Sequence, residues 1–167
     1  VTKQVSFYEE MTNVPFIIAG PGIHPRQKPV EDLLTQPTID LLPTLCELAG
    51  IPVPSSKPGI SLAPFLKGEK QKRQHPYAAS EWHSEYEVTV SPGRMIRSPR
   101  YKYTHYLEGN GEELYDMLKD KGERRNLAHD PKYSKILAEH RALLDDYIRR
   151  TQDDYRSLKV EADKIGR

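Results

Sequence analysis

The apolar positions of the chain fall into three kinds of run. The first is near-continuous. Val14, Phe16, Ile17, Ile18 and Ala19 follow one another around Pro15 and end at Gly20-Pro21-Gly22. A short apolar run between turn residues predicts a strand covered on both faces, as in a parallel α/β sheet. The polar residues before it then reach the sheet as a loop, and loops at the edge of such sheets carry chemistry.

The second kind has helical spacing. Ile39, Leu41, Leu42, Leu45, Leu48 and Ala49 make one broad apolar face, with Thr38 as N-cap, Gly50 as stop and Pro52 beyond it. Pro43 is tolerated in a first turn, so the regular helix is expected to start near Leu42. Cys46 lies on the same face and is read as a core residue. Ser61 to Leu66 predicts one helical turn ended by Gly68. Ile136, Leu137, His140, Leu143, Leu144, Tyr147 and Ile148 recur every three or four residues, behind an Asp130 cap and Pro131.

The third kind alternates. Tyr77 to Trp82 and Glu87 to Val90 are β-prone. Arg94 to Arg97 and Tyr101 to Tyr106 flank Ser98-Pro99-Arg100 as a hairpin, Gly109-Asn110-Gly111 turns the chain, and Glu113 to Met117 is a further strand. Together these predict an antiparallel sheet of about four strands. The charged stretch from Glu69 to Gln74 marks a boundary. Residues 1–70 read as the tail of an α/β domain, with its last strand and helices. Residues 71–167 read as an α+β subdomain with a C-terminal helix.

Composition narrows the function. With 167 residues, 37% hydrophobic and 29% charged, and a net charge of +1, the chain has no field that would steer nucleic acid. No run approaches the roughly 20 apolar residues of a membrane span. The start lacks the charged and apolar regions of a signal peptide. One cysteine permits no internal disulfide. The six histidines show no close metal-ligand spacing. A lone buried-type strand at 14–19 needs neighbours, so the chain is expected to belong to a longer one.

Several stretches together resemble the second half of the type I sulfatases. Lys3 to Asn13, with Tyr8-Glu9-Glu10, then Val14-Pro15-Phe16-Ile17, matches the family's K…[YF]-E-E block and the strand after it. Thr38 to Ile51 resembles its D-[IL]-x-P-T helix, and Gly59 to Gly68 its G-x-S-L-x-P-x-L-x-G segment. Tyr101-Lys102-Tyr103, Glu113-Leu114-Tyr115-Asp116, Glu123, Asn126-Leu127-Ala128 and Asp130-Pro131 resemble its closing block. The four motifs occur in the family's order.

The resemblance implies an alkaline-phosphatase-like fold and hydrolysis of a sulfate ester to an alcohol and sulfate. It implies that Lys3 contacts the sulfate, where a fixed ammonium stabilises the charge that builds up in the transition state. It implies that Trp82 and His83, in the smaller C-terminal subdomain, close over a sulfated small molecule or sugar, with Trp82 stacking on a ring. Their alternative reading is a partly buried strand Trp beside an exposed His. Tyr8, Glu9 and Glu10 are read as structural. Arg94, Arg97 and Arg100 could face an anion, but are read first as surface charges or carboxylate partners.

The family's nucleophile is a formylglycine made in a C/S-x-P-x-R motif, beside a Ca²⁺ with oxygen ligands. Cys46 is followed by Glu-Leu-Ala, Ser56 has Ile60 where Arg is required, and Ser91 and Ser98 have the wrong spacing. Formylglycine and calcium ligands are therefore expected upstream, in the rest of the catalytic domain, with no metal ligand in this chain. The family's usual locations are periplasmic, secreted or lysosomal. Two other functions stay open from the sequence: a phosphoesterase of the same superfamily, and a non-catalytic α+β binding module.

Overall fold

The computed structural model describes residues 6–26, 28–31, 33–56, 58–70, 75–83, 91–107 and 111–157. Internal contacts divide the chain into two compact units. One comprises residues 1–14 and 79–167, the other residues 15–78.

The larger unit is built on a four-stranded sheet in the order β1-β2-β3-β4, with β1 at Ala78–Trp82, β2 at Gly93–Arg97, β3 at Tyr101–Tyr106 and β4 at Glu112–Asp116. The hairpin expected around Ser98-Pro99-Arg100 is present. β2 and β3 are antiparallel, pairing Arg94 with His105 and Arg97 with Lys102. β3 and β4 are antiparallel, pairing Lys102 with Tyr115 and Tyr103 with Leu114. The expected strand at 87–90 lies outside the described residues.

Both faces of this sheet are covered. Arg94, Ile96, Tyr103, His105, Glu112 and Leu114 share one face by register. There α4 (Ser134–Thr151) packs across β2 and β3 through Leu137, His140 and Leu144. The helix begins behind a single 3₁₀ turn, Pro131–Tyr133, whose first amide groups are capped by the Asp130 carboxylate on Lys132 N at 3.1 Å. The other face carries Gly93, Arg97, Lys102 and Tyr115, and receives the N-terminal segment. Phe7 lies there, followed by the one-turn α1 (Glu9–Thr12). A methyl group on Gly93 would stand 2.7 Å from the Phe7 ring, so only glycine admits that ring. Two covered faces explain why Lys102, Thr104, Glu113 and Arg94 are buried polar residues within strands.

The smaller unit holds α2 (Pro37–Ala49) and the one-turn α3 (Ala63–Leu66), which pack together. α2 starts earlier than expected. Gln36, not Thr38, is its N-cap, Pro37 opens it, and the Asp40 carboxylate accepts the Gln36 amide at 2.7 Å. Pro43 is interior and leaves the Ile39 carbonyl without its helical donor. Gly59, at φ +116°, comes so close to that carbonyl that a Cβ would lie 2.1 Å from the oxygen. Gly50 ends the helix in the left-handed region, as expected.

The buried side of α2 is also not the expected one. Asp40, Pro43 and Thr44 are buried, while Leu41, Leu42 and Leu45 are exposed and Cys46 is only half-buried. The buried side is fixed by hydrogen bonds to the 59–62 segment rather than by apolar packing. Residues 14–19 pair with no strand among the described residues, and Ile17 is 85% exposed. A strand of the expected kind needs neighbours for its amides and carbonyls.

Candidate functional site

The family-like N-terminal block is held by a buried ion cluster. Lys102, the second residue of β3, is fully buried. Its ammonium lies 2.7 Å from Glu9 Oε1 and 2.9 Å from Glu123 Oε1, and donates to the Phe7 carbonyl at 2.8 Å. The ammonium thus makes one hydrogen bond and two ion-pair contacts, and Glu123 Oε1 is buried without a hydrogen-bond partner among the described residues. Glu123 Oε2 accepts the Glu9 backbone N–H at 2.7 Å. Arg97 adds a weaker approach to Glu9 at 3.7 Å. Nearby, burial and the charge of Glu123 push the Glu113 carboxyl above its ordinary pKa. Within Tyr8-Glu9-Glu10, which the sequence reads as structural, Glu9 is the member that ties the block to the sheet. Lys3, the expected catalytic residue, lies outside the described residues.

Trp82 ends β1 and His83 follows it. Trp82 is half-buried and its indole Nε1 is enclosed without a hydrogen-bond partner among the described residues, while His83 is exposed. Behind them stands Arg94. Its guanidinium donates to the Trp82 carbonyl at 2.9 Å, grips Asp153 through Nε and Nη2 at 2.6 and 2.8 Å, and lies over the Tyr155 ring at 4.5 Å. These hydrogen bonds hold the Asp153 carboxyl below its ordinary pKa, with His83 adding to the effect. Tyr155 is fully buried and donates to the His105 carbonyl at 3.0 Å.

The three arginines are therefore carboxylate partners rather than an open anion site. Arg94 is spent on Asp153 and Arg97 faces Glu9. Arg100 holds Asp116 at 2.7 Å and lowers its pKa by that bond. His140 packs, as its helical position predicts. Its Nδ1 donates to the Ile136 carbonyl at 2.8 Å, its Nε2 accepts the Ser98 hydroxyl at 2.9 Å, and burial lowers its pKa. The Ser98–His140 pair closes the β2–β3 turn, and the second ring nitrogen is taken by the Ile136 carbonyl rather than by a carboxylate.

The closing block is likewise a set of backbone ties. Asn126 Oδ1 accepts the Leu114 and Ala128 amides at 3.0 and 2.9 Å, its Nδ2 donates to the Glu112 carbonyl at 3.0 Å, and Leu127 N bonds Leu114 O at 2.8 Å. The segment thereby borders β4. In the smaller unit the D-x-x-P-T and G-x-S-L motifs interlock. Asp40 Oδ1 accepts the Ile60 amide at 2.8 Å, and Thr44 Oγ1 accepts the Leu62 amide at 2.9 Å. His75 Nε2 completes the Asp40 carboxylate at 2.8 Å. Sequence spacing alone does not reveal Lys102, Glu123, Arg94 and Asp153 as anchors. The one local signal is a lysine between two tyrosines in an otherwise buried strand.

Among the described residues no three His, Cys, Asp or Glu side chains are placed to hold a metal ion. No described helix is long and apolar enough to cross a membrane.

The interlocked motifs fall within a stretch that comparison with known proteins assigns to a sulfatase family. Residues 3–150 match the model of the N-sulphoglucosamine sulphohydrolase C-terminal family, and the chain belongs to that family. Among individual proteins, it is 78% identical over 163 residues to the Delta 4,5-hexuronate-2-O-sulfatase of Bacteroides thetaiotaomicron, covering 98% of this chain and 34% of that protein. The solved structure of a 2-O GAG sulfatase matches at a TM-score of 0.90 and 78% identity, over 97% of this chain and 35% of that one. A solved structure in complex with its substrate D-glucosamine-2-N,6-O-disulfate matches at a TM-score of 0.64 and 26% identity, over 72% of this chain and 25% of that one. The chain thus spans about a third of the length of the first of these relatives.

Proposed function

We propose that this chain is the C-terminal part of a sulfatase that removes the 2-O-sulfate from an unsaturated hexuronate at the end of a glycosaminoglycan fragment. The observation that carries the reading is 78% identity along 98% of the chain to a Delta 4,5-hexuronate-2-O-sulfatase. On this reading residues 1–70 end the catalytic α/β domain and residues 71–167 form the antiparallel subdomain. The exposed Leu41, Leu42 and Leu45 face of α2 is then covered by upstream parts of the catalytic domain.

In this reaction Lys3 places its ammonium against the sulfate and the bridging oxygen, where charge develops as the S–O bond breaks. Trp82 and His83 contact the sugar, with Arg94 holding the Trp82 carbonyl. The described residues offer no calcium site and the sequence no C/S-x-P-x-R motif, so no step is assigned to either group in this chain. On the proposal both groups belong upstream, where formylglycine would supply a nucleophile and calcium would offset the negative charge of the sulfate. The resemblance also favours a periplasmic or secreted location.

The test is an assay of the whole enzyme on unsaturated disaccharides sulfated at the 2-O position of the hexuronate, or only at the 6-O or N position of the glucosamine. Sulfate release from the 2-O substrate alone supports the reading. Release from the 6-O or N substrate instead overturns the substrate class. Release from none of them also overturns the proposed substrate class.

A further inference from the structure

We infer that the turn after α4, Asp153 to Tyr155, is a strap that positions Trp82, with Arg94 as the link between them. The inference rests on the reading of Trp82 as a sugar contact.

β1 lies at the edge of the sheet, and Trp82 is its last residue. The half-buried indole is not fixed by its own polar atom, because Nε1 is enclosed and has no hydrogen-bond partner among the described residues. The backbone is held instead. Arg94 Nη1 donates to the Trp82 carbonyl at 2.9 Å and to the Gly93 carbonyl at 2.9 Å, which ties the end of β1 to the start of β2. The rest of the guanidinium is turned to the strap. Nε and Nη2 fork onto the two Asp153 oxygens at 2.6 and 2.8 Å, and Cζ lies 4.5 Å from the centre of the Tyr155 ring. A rigid planar fork with donors on two edges passes a displacement at one edge to the other, which a compact ammonium on a flexible stem does not.

The strap is itself fixed on both sides of the Asp153 carboxylate. α4 closes on Gln152 in the left-handed conformation, at φ +55°, and Asp153 N bonds the Ile148 carbonyl at 3.1 Å. Asp153 Oδ1 accepts the Tyr155 amide at 3.1 Å. Tyr155 is fully buried, and its hydroxyl donates to the His105 carbonyl of β3 at 3.0 Å. A second tie joins α4 to β1, where the Tyr147 hydroxyl donates to Glu81 Oε1 at 2.5 Å. Stability is a poor explanation for the Arg94–Asp153 pair. Its side chains are only 5% and 10% exposed, and buried ion pairs commonly do no better than apolar replacements. What the pair supplies is direction. Each bond specifies one atom, and one of those atoms is the Trp82 carbonyl oxygen.

The test uses the whole enzyme, with 5-fluorotryptophan in place of tryptophan and the 2-O-sulfated disaccharide as substrate. The fluorine signal that Trp82→Phe removes is that of Trp82. Two variants loosen the strap. Arg94→Lys keeps the charge and loses the fork. Asp153→Asn keeps the shape and the bond to the Tyr155 amide, so it folds even where Arg94→Lys does not. In each, the expected result is a displaced Trp82 signal before substrate is added, and a KM raised about three- to tenfold with kcat changed less, as loss of a binding contact produces. In the Trp82→Ala background the same substitutions raise KM no further, because residues that act through one group are not additive.

An unmoved Trp82 signal in both variants, or KM losses that multiply with that of Trp82→Ala, overturn the inference while Trp82 keeps its role. An unchanged KM for Trp82→Ala alone overturns the role of Trp82 and the inference with it. If the wild type releases no sulfate from the disaccharide, the proposed substrate class fails, and the Trp82 signal by itself supports or overturns the strap.

Discussion

Asp40 Oδ1 accepts the Ile60 amide at 2.8 Å, and this bond joins two sequence motifs twenty residues apart. Its other oxygen caps the Gln36 amide, and His75 closes the remaining side. Asp40 is fully buried, so every lost partner leaves a polar group away from water. Asp40→Ala is expected to destabilise the protein by about 3 kcal/mol or more, as removal of one member of a buried charged network does. Thr44→Val, which frees only the Leu62 amide and its own helix bond, should cost about 1–2 kcal/mol. Urea denaturation of both variants checks the order, and an Asp40→Ala protein as stable as wild type would refute it.

Gly59 should tolerate no side chain. At φ +116°, with the Ile39 carbonyl oxygen 2.1 Å from where a methyl group would stand, both conformation and space exclude alanine. Gly59→Ala is expected to cost about 2–4 kcal/mol, more than the usual penalty for a left-handed site, because a backbone carbonyl must move. Gly20→Ala, where nothing lies within 4 Å of the added methyl, is the matched control and should be neutral in a thermal melt.

Acid should unfasten the sheet unit in an identifiable way. Hydrogen bonds from Arg141 pull the Glu112 pKa from 4.5 to about 2, and those from Arg94 lower that of Asp153. Both carboxyls are depressed in the folded state. Their stabilisation is therefore present above the unfolded values and is lost as pH falls toward the folded ones. For Glu112 the window runs from pH 4.5 down to about 2. Stability measured against pH should fall less steeply there in Glu112→Gln than in wild type, and equal slopes would contradict the assignment.

Buried His140 should act at a higher pH. Its pKa is lowered from 6.5 by burial, so the unfolded chain binds the proton first and stability drops as pH falls below 6.5. His140→Gln should remove that part of the pH dependence while retaining a donor or acceptor for Ser98. A wild-type profile flat between about pH 6.5 and 5 would rule this out.

Local signals made some of these features legible in the sequence, and distance hid others. Alternation around Ser98-Pro99-Arg100 exposes the hairpin, and three- and four-residue spacing exposes α4. The start of the helix 37–49 is hidden because Asp40, an acidic residue inside the first turn, supplies the cap that the pattern assigns to Thr38. Its inward face is hidden because a buried Asp–Thr pair, not the leucines, fixes it. Arg94 and Asp153 are 59 residues apart and Glu9 and Glu123 are 114 apart. Pattern reading has no access to pairs at such separation. The motif resemblance is legible, but it does not say that Lys102 and Glu123 hold Glu9.

The most direct test of the sulfatase reading is the rate of sulfate release from a 2-O-sulfated unsaturated hexuronate by the whole enzyme, wild type against Lys3→Ala. The account predicts turnover by wild type and a kcat at least about 10²-fold lower in the variant, the scale of one transition-state charge contact. No turnover by wild type, or equal kcat in the two proteins, would contradict it.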